Sequence, residues 1–125
     1  MRENIVMNMA YGFTVRIINA YKFLSKEQHE VVLSKQLLRS GTAIGALIKE
    51  AEHAQSKVDF INKMNTALQE ASETGYWLML LHDRDYIDED VFASIVSDCK
   101  ELIRLLISIV KSTKESDGSK KNENV

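Results

Sequence analysis

At 125 residues the chain suits one domain, long enough to bury a core and short for two. It has no proline, five glycines, and 16 basic against 18 acidic residues; the formal charge of −2 excludes a general polycation, so any nucleic-acid surface must be a local patch. A single cysteine, Cys99, excludes an intrachain disulfide or a cysteine-built zinc site and fits a reducing compartment.

The opening MRENIVMNMAYGF is broken by charge and asparagine before the apolar stretch of a signal peptide develops. The longest wholly apolar or aromatic run, Tyr76 to Leu81, is far below the ~20 residues that a membrane-spanning helix needs. The expectation is a soluble, cytoplasmic protein without a membrane partner. At ~100° per residue, Val6, Ala10, Phe13, Ile17, Tyr21 and Leu24 share one stripe and predict a first helix from about Glu3 to Leu24. Tyr11, Val15 and Ile18 lie on a different face, which then needs a partner or stays exposed.

Ser25 with Gln28 has the spacing of a capping box and predicts a second helix running to about Ala54. Its inward stripe is Leu33, Leu37, Ser40/Gly41, Ile44, Ile48 and Ala51. Two glycines inside a helix each cost roughly 1 kcal/mol relative to alanine, so Gly41 and Gly45 point to close helix packing. The stretch GTAIG has no preceding strand and neither spacing of a phosphate-binding loop.

Ser56 with Asp59 repeats the capping pattern and predicts a third helix from Lys57 to His82. Phe60, Met64, Ala67/Leu68, Ala71, Gly75 and Leu78 face inward, and the small ridge Ala67, Ala71 and Gly75 is expected to meet Gly41 and Gly45. Near the helix end, Tyr76, Trp77, Met79 and Leu80 leave no polar face. Tyr76, Trp77 and Leu80, joined by Tyr11, Val15 and Ile18, are therefore the candidate subunit interface.

The acidic link Asp83 to Asp90 supplies Asp88 as an N-cap and lacks the central glycine and closing glutamate of a calcium loop. A fourth helix follows from about Glu89 to Ser112. It buries Phe92, Ile95, Cys99, Leu102, Ile103, Leu106, Ile109 and Val110, with Cys99 a packed thiol. Residues 114–125 have no apolar periodicity and read as a disordered polar tail outside a bundle spanning 1–113.

Three constellations bear on chemistry. Glu50 and His53 have the Glu-x-x-His spacing of di-iron bundles, but no second copy accompanies them, and neither a metal nor another cofactor is expected. Glu70 and Glu73 form a carboxylate pair beside the apolar helix end, read as a solvated face or a salt bridge to a neighbouring chain; no nucleophile-base arrangement can be assembled. Lys35, Arg39, Thr42, Ala46, Lys49 and His53 follow at spacings of four and three along one ridge, with Lys57 and Lys63 beyond the turn. That ridge reads either as an ordinary solvated face or as a line of phosphate contacts. The candidate nucleic-acid-binding residues are Lys35, Arg39, Lys49, His53, Lys57 and Lys63.

The stretch LLRSGTAIGALIKEAEHAQSKVDFINKMNTALQEASETGYWLMLL resembles the signature of the 23S rRNA intervening-sequence proteins. The likeness rests on Arg39-Ser40-Gly41-Thr42, Ile44-Gly45-Ala46, Ser56-Lys57, Asp59-Phe60-Ile61 and Glu73-Thr74 followed by Tyr76-Trp77-Leu78. Ala43 stands where a serine is usual and Leu47 where an asparagine is usual. The resemblance implies an all-α, antiparallel up-and-down four-helix bundle that assembles into a homopentamer without enzymatic activity. A related branch, the accessory proteins of diversity-generating retroelements, works with a reverse transcriptase and its RNA. The expected partner is thus an RNA or a nucleic-acid-processing protein, and the competing expectation is a scaffold that binds only protein.

Overall fold

The computed structural model describes the backbone of residues 2–123 and the side chains of residues 5–116. Four helices form: α1 (Arg2–Lys26), α2 (Leu33–Ala51), α3 (Lys57–Asp83) and α4 (Glu89–Glu123), with no strand among the described residues. Each helix touches its neighbours in sequence and α1 closes the ring against α4, so that α1 and α3, like α2 and α4, stand diagonally opposite. Paired residues run in opposite directions along the α1–α2 and α3–α4 seams. Gly41 and Gly45 of α2 meet Ile17 and Thr14 of α1. Ser40 meets Thr74, and Cys99 of α4 meets Ala71 while Phe92 meets His82.

The predicted inward stripes supply the core. Val6, Ala10, Phe13, Ile17 and Leu24 of α1 pack with Leu37, Ile44, Ile48, Met64, Ala67, Ala71, Leu78 and the α4 residues Ile95, Cys99, Leu102 and Leu106. Tyr21, Leu33, Phe60, Leu68, Phe92 and Ile103 are half-buried at its edges. Buried hydroxyls interrupt this apolar interior at the α2–α3 seam. Ser40 and Thr74 share a hydrogen bond at 2.9 Å across the α2–α3 seam, and the Thr74 hydroxyl also lies 2.7 Å from the Glu70 carbonyl oxygen. Among the described residues, no buried side-chain polar atom lacks a hydrogen-bond partner.

The helix caps depart from expectation at α2. Ser25 lies inside α1, where its hydroxyl donates to the Tyr21 carbonyl at 2.8 Å, and α2 starts only at Leu33. The cap is Glu30. Its Oε1 accepts from the amides of Val32 and Leu33 at 3.0 and 2.8 Å, and its Oε2 from Ser34 at 2.7 Å. A carboxylate bridging the free amides of a first turn complements the positive end of the helix, outweighing the weaker serine signal upstream. His29 just before it takes a left-handed φ of 56°, which turns the chain so that the carboxylate folds back onto the helix. Helix α2 also ends at Ala51 rather than Ala54.

At α3 the Ser56 oxygen accepts from the Asp59 amide at 3.0 Å, while Asp59 Oδ2 reaches the Gln55 amide at 3.2 Å, one residue before the expected partner. At α4 Asp88 Oδ1 accepts from the Val91 amide at 2.9 Å, as expected of that cap. Helix α4 passes the expected end at Ser112 and continues to Glu123, although Val110 is the last buried residue among the described side chains. The proposed tail therefore begins as helix; Asn124 and Val125 lie outside the described residues.

The small residues pack differently from expectation. A Cβ on Gly41 would lie 2.7 Å from Ile17 Cγ2, and one on Gly45 would face Thr14, Met7 and Ala10, so both glycines serve the α1 seam. The Ala71–Gly75 ridge instead faces Cys99 on α4. The reason is angular: α2 must turn one edge to α1 and the other to α3, and its glycines occupy the first while Arg39, Ser40 and Glu partners across the seam mark the second.

Candidate functional site

Arg39 projects from α2 towards α3 rather than away from the bundle. Its Nη2 lies 2.6 Å from Glu73 Oε1 and its Nη1 3.2 Å from Glu70 Oε2. Trp77 Nε1 donates to the same Glu73 oxygen at 3.2 Å. The hydrogen bond that Arg39 donates holds the Glu73 carboxyl below the usual carboxylate range, helped by Trp77, and the same bond raises the pKa of the Arg39 guanidinium. The carboxylate pair read from sequence is thus bridged by one cation of its own chain. Acid-base work would require one of the two carboxyls to be poised near neutrality, and the shift of Glu73 runs the other way.

With Arg39 withdrawn, the basic ridge consists of separate groups. Lys35, Lys49 and His53 are exposed, Lys57 is exposed at the start of α3, and Lys63 is half-buried. Lys49 pairs at 3.1 Å with Glu52, the residue that caps the end of its helix. Lys35, Lys57 and Lys63 make no ion pair among the described residues. The lower members, Lys49, His53, Lys57 and Lys63, belong to the α2–α3 turn and the helix ends that flank it.

The interface candidates also separate. Tyr11 is 69% exposed, Val15 42% and Tyr76 51%, whereas Ile18, Trp77 and Leu80 are half-buried and Trp77 packs against the core. Trp77 remains beneath Tyr76, whose ring meets it edge-on with centroids 5.1 Å apart.

At the other end, His82 joins α3 to α4. It stacks on Phe92 at 4.2 Å, places Nε2 2.6 Å from Glu89 Oε2 and Nδ1 3.2 Å from Asp83 Oδ1. The hydrogen bond with Glu89, followed by that with Asp83, raises the His82 pKa above its ordinary 6.5. A raised folded-state pKa adds stability that is fully present below the unfolded value and disappears as pH rises through the folded one. Thermal melts of wild type and His82→Gln should therefore differ most below pH 6.5 and converge in more alkaline buffer. A gap that widens with pH would refute the assignment. The sequence reading passed over His82, although its position one residue before an acidic link was the available signal.

Cys99 is buried, donates weakly to the Ala71 carbonyl at 3.2 Å, and is pushed by desolvation up to about 11. It stays a thiol at neutral pH and presents no nucleophile. A cleft of about 700 Å³ opens between α1 and α4, with Phe23, Ile87, Val91 and Ile95 on its walls and Arg16 and Asp88 at its edge; no serine, cysteine, histidine or lysine lines it. Arg16 is held there by Asp98 at 2.6 Å and Ser94 at 3.0 Å. Glu50 and His53 are exposed, and no group of three or more His, Cys, Asp or Glu side chains converges as a metal site among the described residues.

These features define a small all-α bundle whose distinctive chemistry lies in charged outer faces and half-covered aromatic patches. The chain belongs to the family of 23S rRNA-intervening sequence proteins, which it matches over residues 2–108. It is similar to a crystal structure from Bacteroides thetaiotaomicron described as a protein with unknown function from the S23 ribosomal protein family. The two are 57% identical, the match covers 89% of this chain and 99% of that one, and the TM-score is 0.88. No curated protein matches the chain. No helix among the described residues is long and apolar enough to cross a membrane.

Proposed function

We propose that this protein is a non-catalytic homo-oligomeric bundle, pentameric as its family resemblance implies, that associates in the cytoplasm with RNA or with a nucleic-acid-processing protein. The observation that carries this reading is that cations of α2 and α3 are left without carboxylate partners: Lys57 and Lys63 near the α2–α3 turn that holds His53, and Lys35 at the far end of α2. Lys49, paired only with the adjacent helix cap Glu52 and 65% exposed in its side chain, can exchange Glu52 for a phosphate at little cost. Arg39 serves this surface indirectly, by fastening α2 to α3. Tyr11, Val15 and Tyr76 supply the exposed apolar area that an assembly would cover.

A protein-binding scaffold is the second reading, favoured by those same exposed aromatic residues. One experiment separates the two: sedimentation velocity of the protein with a fluorescein-labelled 20-nucleotide RNA. A multimer that carries the RNA is expected. With three single-strand phosphate contacts its affinity should fall roughly 20-fold between 50 and 200 mM salt. A multimer that leaves the RNA behind at 50 mM would establish the scaffold instead, and a monomer would overturn the assembly.

A further inference from the structure

A second row of cations lies on the opposite side of the bundle from the α2 ridge. Lys100, Arg104, Lys111 and Lys114 of α4 are all exposed. At helical spacing they fall within an arc of roughly 80° and span about 21 Å along the axis. None is ion-paired among the described residues, although Glu101 and Glu115 stand on the same helix. Glu89, at the head of the row, is held by His82, and Asp98 by Arg16. Glu101, three residues before Arg104, and Glu115, four after Lys111, border the row without pairing to it, so its four cations outnumber the acids beside them. In a chain whose net charge is −2, such a row is a local excess that overall composition conceals.

We propose that this α4 face is an independent docking surface for the phosphodiester backbone of a nucleic acid. It rests on the RNA reading above and adds a second contact to it: since α2 and α4 are diagonal in the ring, one bundle would hold two strands, or two segments of one strand, on opposite sides. Three features identify the ligand. The cations form a line rather than a cluster, which suits an extended polyanion better than a single phosphate. Ile107 stands among them and Val96 and Ser97 just before them, without asparagine or glutamine, and the one ring beside Lys100 and Arg104, Phe92, is half-buried and stacked on His82, so recognition is of the backbone rather than by base stacking or amide readout. The apolar stripe of α4 is committed to the core, leaving on the face of the row only Ile107, 48% exposed, and half-buried Val96, too little for insertion into a membrane surface. Lys111 and Lys114 lie beyond the matched family region, which ends at residue 108.

The test is fluorescence-anisotropy titration of a labelled 20-nucleotide uridine RNA and a mixed-sequence RNA of equal length, from 50 to 300 mM salt. The wild type is compared with Lys100→Gln/Arg104→Gln/Lys111→Gln and with a control of equal charge change, Lys22→Gln/Lys26→Gln/Arg84→Gln. Losing three single-strand contacts should flatten the log-log salt slope by about 2, and the two RNAs should bind alike. The control should leave the slope within experimental scatter. If the α4 variant is poorly folded by circular dichroism, the single variants Lys100→Gln and Lys111→Gln serve, each expected to flatten the slope by about 0.7. A slope unchanged by the α4 substitutions but flattened by Lys35→Gln/Lys57→Gln/Lys63→Gln overturns this face while leaving the RNA reading intact. Absence of RNA binding at 50 mM salt overturns both. Equal flattening by the control reduces the effect to net charge and overturns the α4 face, as does wild-type binding to vesicles containing phosphatidylserine without binding to RNA.

Discussion

Glu30→Ala is expected to lower the stability of the bundle by about 2–3 kcal/mol, read as a reduced urea midpoint at unchanged slope. The carboxylate is 7% exposed and satisfies three amides of the first turn of α2. Alanine leaves those donors without an acceptor where water has poor access, and removes a charge that complements the helix end. Glu30→Gln keeps one acceptor oxygen and should lose less. Ser25→Ala, which removes only a hydroxyl bonded back onto its own helix, should stay within about 0.5 kcal/mol of wild type. If the two alanine variants ranked the other way, the cap would have been assigned to the wrong residue.

Gly41→Ala is expected to destabilise by up to about 2 kcal/mol despite the gain in helix propensity. Overpacking costs roughly 1–3 kcal/mol and alanine returns about 1 kcal/mol. The new methyl would meet Ile17 Cγ2 at 2.7 Å and Cγ1 at 2.9 Å. A β-branched side chain fixed in the α1–α2 seam has little freedom to retreat. Gly45→Ala, whose nearest neighbour would be Thr14 Oγ1 at 3.5 Å, should instead be neutral or stabilising by up to about 1 kcal/mol. Ile17→Ala costs packing of its own, yet in a double-mutant cycle it should recover part of the Gly41→Ala loss. A stabilised Gly41→Ala protein would mean that the two helices stand farther apart than the seam indicates.

These two substitutions also mark where sequence reading stops. That Gly41 sits in a tight place follows from its cost in a helix, but which helix crowds it does not. A stripe about 100° wide can be shared between two neighbours, and residues at i and i+4 cannot say which edge belongs to which. The same limit applies to Arg39. Spacing places it on a line with Lys35 and Lys49, whereas its long side chain swings to Glu70 and Glu73, acceptors 31 and 34 residues away in sequence. Trp77 shows the complementary case, since a ring placed off the inward stripe is large enough to lie back against the core.

Local and periodic information determined the rest from sequence alone: four helices, the stripes centred on Phe13, Ile44, Leu78 and Leu102, the caps at Ser56 and Asp88, and the inertness of Cys99. Each depends on residues within a turn or two of one another, where helical geometry leaves one arrangement. The resemblance carried by RSGTAIG and ETGYWL pointed to the family, and the match over residues 2–108 bore it out. Only tertiary structure decided that Glu30 caps α2, that both glycines face α1, that Arg39 is taken up by two carboxylates, and that the α4 cations are left unpaired. The physical reason is common to all four. A polar or charged group acts on whichever partner the fold brings within about 3 Å, and that distance is set by how the helices pack rather than by the order of residues along any one of them.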